Sequence, residues 1–83
     1  MMIRVTSVQP VTDFKLQLRF SNGECRCFDM APYLHLPVYR RLDNPGFFAL
    51  ARVDYGTVVW PDEIDIAPET LYGCSVPHDL APA

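Results

Sequence analysis

The sequence predicts an α+β domain: a small, mainly antiparallel sheet of four to five strands with short helices inserted. Three observations carry this. Residues 13–20 alternate apolar and polar and run into Asn22-Gly23 and a second extended stretch; prolines break the middle of the chain too often for a long helix; and β-branched residues return on both sides of Gly56. Strands, then short helices, then strands again is the α+β pattern. With 83 residues and 9.4 kDa the chain reads as a single domain over residues 1–83, with its core in 3–73 and a tail in 74–83. A chain this short buries only roughly 60–65% of its unfolded surface. Its composition, 49% apolar and 20% charged, is that of a globular protein.

Residues 3–9 are rich in Val, Ile and Thr and read as the first strand, with Pro10 marking its end. In residues 13–20, Phe14, Leu16, Leu18 and Phe20 share one face and Lys15, Gln17 and Arg19 the other, the period-two signature of a half-buried strand. Asn22-Gly23 tolerates the positive φ of a tight hairpin, so residues 24–30 return antiparallel. A two-residue loop would pair Phe20 with Cys25 and Leu18 with Cys27, turning both thiols inward and Arg26 and Phe28 outward. A three-residue loop, Ser21-Asn22-Gly23 with Gly23 left-handed, would reverse all four. The first is favoured because it avoids setting the charged Arg26 against Leu18; alternation alone leaves both open.

Asp29 suits an N-cap for a helical turn within residues 31–36, bounded by Pro32 and Pro37. A further turn over 38–42 would send Tyr39 and Leu42 inward and Arg40 and Arg41 outward. Asn44 capping and Pro45 in first position predict a short helix over 45–50. Residues 51–55 and 57–60 flank Gly56 as two strands turning at Tyr55-Gly56. An edge segment at 63–66 and one helical turn at 69–72, opened by Pro68 and closed by Gly73, complete the fold.

The net charge is -3, so the molecule as a whole repels phosphate backbones. All seven bases precede residue 53, where four acids leave a local +3; the remainder carries six acids and no base, a local -6. In a compact fold the two halves are expected to compensate each other. Neither a membrane-length apolar run nor a secretory leader is visible, which places the chain in the cytoplasm. Three cysteines in that setting are expected to be reduced and buried.

The strongest metal-like grouping is Cys25-x-Cys27 with Cys74-x3-His78, suited to zinc only if hairpin and tail meet; its spacing fits neither a ribbon nor a finger. Cys74 with His78 lacks a third catalytic group, and His35 near Tyr33 and Asp29 reads as a surface or capping side chain. The acids Asp62, Glu63, Asp65 and Glu69 lack the glycine and ligand spacing of a calcium loop. No phosphate-binding glycine loop and no G-x-S-x-G occur. No catalytic residue, cofactor or metal is therefore assigned. Lys15, Arg19 and Arg26 are candidates for a basic outer sheet face; Tyr55 and Trp60 are candidates for a partner contact, with Trp60 the more natural core residue and Tyr55 the more exposed.

F-S-N-G (20–23), F-D-M (28–30), L-D-N-P-G-F-F (42–48), V-D-Y-G-T-V-V-W-P-D (53–62) and D-I-A-P-E-T-L-Y (65–72) together resemble the small bacterial family known as domain of unknown function 2442. The resemblance implies a compact α+β domain without an assigned reaction. It also implies a setting in which members stand alone or at the N-terminus of larger proteins, including some with a helix-turn-helix DNA-binding domain, and some lie beside another small protein in a toxin–antitoxin-like arrangement. Glu63 departs from the pattern, where a small residue is frequent, and the cysteines and histidines lie outside it. The reading is a non-enzymatic protein-interaction or regulatory accessory module. The alternative reading is a nucleic-acid-associated transcriptional regulator, and a small enzyme or ligand-binding domain comes third. The expected partner is a protein, a second copy of the chain among the candidates, ahead of nucleic acid, with no membrane association.

Overall fold

The computed structural model describes residues 3–77. Strands β1 (Val5–Val11), β2 (Lys15–Phe20) and β3 (Cys25–Asp29) form an antiparallel meander, and β7 (Val76–Pro77) joins its far edge to give the order β1-β2-β3-β7. Strands β4 (Arg52–Asp54), β5 (Thr57–Trp60) and β6 (Ile64–Ile66) form a second antiparallel sheet in chain order. Helix α1 (Pro45–Phe48) precedes β4, helix α2 (Pro68–Gly73) precedes β7, and 3-10 turns occupy Ala31–Tyr33 and Pro37–Asp43. The fold is α+β and antiparallel as predicted, with seven strands among the described residues divided over two sheets where one sheet of four to five was expected. Pro10 lies in the edge strand β1, which offers no complete row of N–H groups to a further strand, and the sheets are joined there by the Val5 N–H donating to the Gly56 carbonyl at 2.9 Å.

β1 continues two residues past the predicted end because a proline costs no ladder bond at an edge; Pro10 stands opposite Leu16. β2 starts later than the alternation suggests. Asp13 and Phe14 both have positive φ, 64° and 58°, so the chain turns there and Phe14 leaves the apolar row. Its ring instead meets Phe48 edge-on at 5.4 Å.

The β2–β3 hairpin adopts the three-residue loop, which corrects the favoured register. Gly23 is left-handed at φ 89°, the Phe20 N–H donates to the Glu24 carbonyl at 2.9 Å, and the pairs are Leu16 with Phe28, Leu18 with Arg26 and Arg19 with Cys25. Phe28 is fully buried, while Cys25 and Cys27 are half-buried on the opposite face with Arg19 and Gln17. Burying Phe28 stabilises the fold more than burying two small thiols, since aromatic side chains remove the larger apolar area. The charge set against Leu18, which argued for the other register, is met by partners described below.

The core lies between the sheets. Leu16, Leu18, Phe20 and Phe28 come from the first, Val58, Trp60, Ile64 and Ile66 from the second, and Met30, Leu42, Phe48 and Leu71 from the connections. The connections form where the sequence places them. The Asn44 side chain accepts from the Gly46 and Phe47 N–H groups at 2.8 and 3.2 Å, with Pro45 in first position. In the 3-10 turn, Leu42 is buried, Tyr39 half-buried, and Arg40 and Arg41 point outward. Tyr55 and Gly56, at φ 54° and 74°, make the two-residue turn between β4 and β5. The ordered chain runs further than the composition suggests, since Ser75 is buried and Val76 pairs with Cys27.

Candidate functional site

Three surfaces carry the chain's polar and reactive groups. The first is the outer face of the four-stranded sheet. Lys15 and Arg19 stand there, exposed, opposite Asp29 and Cys25 on the neighbouring strand. Arg26 does not join them, a correction forced by the hairpin register. It points to the inner face, where its side chain is 15% exposed.

Around Arg26 lies the second surface, a clasp at the sheet's edge. The Arg26 Nε donates to Ser75 Oγ and its Nη2 to the Ser75 carbonyl, both at 2.7 Å, while Nη1 pairs with Glu24 Oε1 at 3.0 Å. The guanidinium also lies 4.6 Å from the centre of the Tyr72 ring, and the Tyr72 hydroxyl donates to the other Glu24 oxygen. Phe20 supports that ring edge-on at 5.1 Å. The bond from Tyr72, with those from Asn22 and Arg26, holds the Glu24 carboxyl below its ordinary value of 4.5. The same bond to Glu24, with burial and the nearby carboxylate charge, raises the Tyr72 phenol above 10. None of Glu24, Tyr72 and Ser75 was singled out from the sequence. The only signal was Glu24-x-Arg26, opposite charges two apart on a strand and hence on one face.

The third surface is an open groove of about 450 Å³ along the second sheet, lined by Arg52, Asp54, Tyr55, Asp62, Glu63 and Asp65 among others. Tyr55 is 92% exposed at the hairpin tip. Trp60, by contrast, is 1% exposed, and its indole N–H donates to the Phe48 carbonyl at 3.0 Å. It is a core residue and cannot serve as a surface anchor. Asp62 and Glu63 are left-handed at φ 69° and 62°, and Asp62 pairs with Arg41, the ion pair among the described residues that joins the basic and acidic halves of the chain. The Tyr39 hydroxyl donates to the Asp65 carbonyl at 3.1 Å; burial, then the Asp65 charge, raises its pKa.

Among the described residues the zinc grouping is not assembled. Cys25 and Cys27 face outward, Cys74 is exposed and lies beside Tyr33, whose phenol it shifts upward through a hydrogen bond, and His78 lies outside the described residues. Among the described residues no three His, Cys, Asp or Glu side chains converge on a metal-sized space, and no helix is long and apolar enough to cross a membrane. His35 lines a shallow exposed concavity with Arg40 and Asp43.

This geometry defines a small two-sheet α+β domain whose polar groups are displayed on open faces. The chain belongs to the family described as protein of unknown function DUF2442, whose model matches residues 5–76. The fold is similar to that of a crystal structure from Nitrosomonas europaea ATCC 19718 named "Putative DNA Binding Protein NE0471", with a TM-score of 0.79 at 22% identity. The match covers 90% of this chain and 50% of that one, so this chain spans about half that protein's length. No curated protein matches.

Proposed function

We propose that the protein is a non-enzymatic interaction module, a regulatory accessory to another small protein in the bacterial cytoplasm. One observation carries the reading: Tyr55 stands 92% exposed on the rim of the second sheet's groove, on a two-residue turn that holds this bulky residue at φ 54°. A left-handed non-glycine residue costs about 1–2 kcal/mol, and tyrosine is among the residues that dominate binding hot spots. The acids beside it favour a cationic partner surface through charge complementarity. The family setting makes a two-protein, toxin–antitoxin-like pair the first form of partnership to seek.

The test is capture from an extract of the source cells on tagged wild-type and Tyr55→Ser protein. The reading expects one stoichiometric protein on the wild type and its loss from the variant, with both baits equally folded by circular dichroism. Equal capture by the two baits would refute it.

A second reading, a nucleic-acid-associated regulator, is favoured by Lys15 and Arg19 on the outer sheet face and by the name given to the Nitrosomonas europaea protein. Only two bases stand on that face in an acidic chain, so any such binding would be weak and steeply salt-dependent. Arg19→Glu would abolish it and leave Tyr55-dependent capture unchanged.

A further inference from the structure

The outward face of β3 carries a group of side chains that neither reading uses. Cys25 and Cys27 are two residues apart on one strand, so both sulfurs leave the same face, and the observed register makes that the outer face. Both are half-buried and reduced, with Arg19 directly across from Cys25 and Gln17 across from Cys27. We propose that this pair is a two-sulfur binding site for a soft monovalent cation, Cu(I).

The spacing selects the ligand. Residues i and i+2 of a strand are ~6.8 Å apart, at the far limit of the ~4.4–6.8 Å spanned by a disulfide, whose sulfurs must close to ~2.04 Å. Two metal–sulfur bonds of about 2.3 Å laid end to end span ~4.6 Å, which each thiol reaches by leaning roughly 1 Å along the strand, as strand side chains do. A linear, two-coordinate d10 ion accepts that arrangement, whereas zinc requires about four donors. Among the described residues no third His, Cys, Asp or Glu side chain gathers with the pair. Thiolate softness favours Cu(I) over the harder cations that carboxylates hold.

The step is a proton exchange without redox change. Both thiols deprotonate, two sulfur–copper bonds replace the bonds that held the copper to its carrier ligands, which leave unchanged, and two protons pass to solvent, leaving a complex of net charge -1. The exposed guanidinium of Arg19 stands across the ladder to offset that charge. Neither thiol lies in the buried core, so occupying the site needs no repacking.

The test is anaerobic titration of the whole chain against Cu(I) presented as its bathocuproine disulfonate complex. The expected result is withdrawal of one copper per chain with the appearance of thiolate-to-copper ultraviolet absorption. Cys25→Ser and Cys27→Ser should each lower the affinity by more than about a hundredfold, beyond the effect of losing an outer-shell group, with circular dichroism unchanged. Cys74→Ser should bind like the wild type, and Zn(II) should not be retained. Should either serine variant fail to fold, the alanine variant at the same position replaces it. Four outcomes would overturn the proposal: no copper withdrawn by the wild type, a stoichiometry of one copper per two chains, a single variant at Cys25 or Cys27 within tenfold of wild type, or dependence on Cys74.

Discussion

Replacing Arg26 by methionine tests the clasp, because methionine keeps the length of the side chain and removes its charge and all its donors. The wild-type guanidinium makes two 2.7 Å bonds to Ser75, one 3.0 Å bond to Glu24 and a cation–π contact with Tyr72. Hydrogen bonds from a charged donor are worth about 1.5–3 kcal/mol each before compensation. Not all of this is lost. Glu24 is 39% exposed and finds water, so its ion pair contributes little, and Ser75 Oγ still donates to the Tyr72 carbonyl at 2.9 Å. The Ser75 carbonyl loses this guanidinium donor, while the methionine stem recovers some apolar contact. The balance is a destabilisation of about 2–4 kcal/mol, or a fall in Tm of roughly 8–30 °C for a domain of this size. Urea unfolding at pH 7 gives the first number and a thermal scan the second. Amide hydrogen exchange adds the spatial test: protection along the β3–β7 pair should collapse first, while that between β1 and β2 follows global stability. A variant as stable as wild type, or one whose Val76 amide exchanges no faster relative to the rest, would refute the claim that Arg26 secures the C-terminal strand.

The clasp should also have a pH window. Glu24 titrates below its unfolded value of 4.5 in the fold, so its contribution is complete above 4.5 and fades as acid carries the pH through the lowered value; Tyr72 titrates above 10, so its contribution is complete below 10 and fades at higher pH. Stability measured against pH should therefore slope at both ends, and Tyr72→Phe should remove its share of the alkaline slope. Glu63→Asn should raise stability by about 0.5–1 kcal/mol in urea unfolding, because asparagine accepts the left-handed φ of 62° more readily than glutamate. Phe28→Ala should cost about 3–5 kcal/mol and Cys27→Ser less than ~1 kcal/mol, an asymmetry that inverts if the hairpin takes the two-residue loop.

What the sequence makes legible is what local chemistry decides. Alternation over Leu16, Leu18 and Phe20 fixes which face of β2 is buried, Asn44-Pro45 fixes where α1 starts, and Tyr55-Gly56 fixes a turn, because each signal is complete within a few residues. The division into two sheets and the β3–β7 pair are not legible, since each depends on segments far apart in the chain. The hairpin register fails for a related reason. Placing Arg26 opposite Leu18 looks unfavourable until Ser75, 49 residues away, supplies its acceptors. Of the candidate site residues, Lys15, Arg19 and Tyr55 stand on the surface and Trp60 in the core, the place read as the more natural for it, while Arg26 is turned inward by contacts that only the assembled fold contains.

The register choice links the core to both working surfaces. A one-residue slip exchanges every side chain between the faces of a strand. The three-residue loop therefore gains Phe28 for the core and, by the same act, displays Cys25 and Cys27 and brings Arg26 inside. An inward guanidinium without acceptors would favour the opposite register by several kcal/mol, since an unpaired, largely desolvated charge is costlier than the burial of one aromatic ring. Ser75, Tyr72 and Glu24 remove that cost, so residues 72–77 select the hairpin's register as well as cover its edge. Removing the chain beyond Gly73 should then do more than expose an edge strand: with Ser75 gone, the two registers approach each other in energy. Cys27, half-buried in the full chain, would spend part of its time in the core. Alkylation of that thiol in the folded state would become biphasic, with a slow fraction absent from the full chain; a single fast phase would refute the coupling of tail to register.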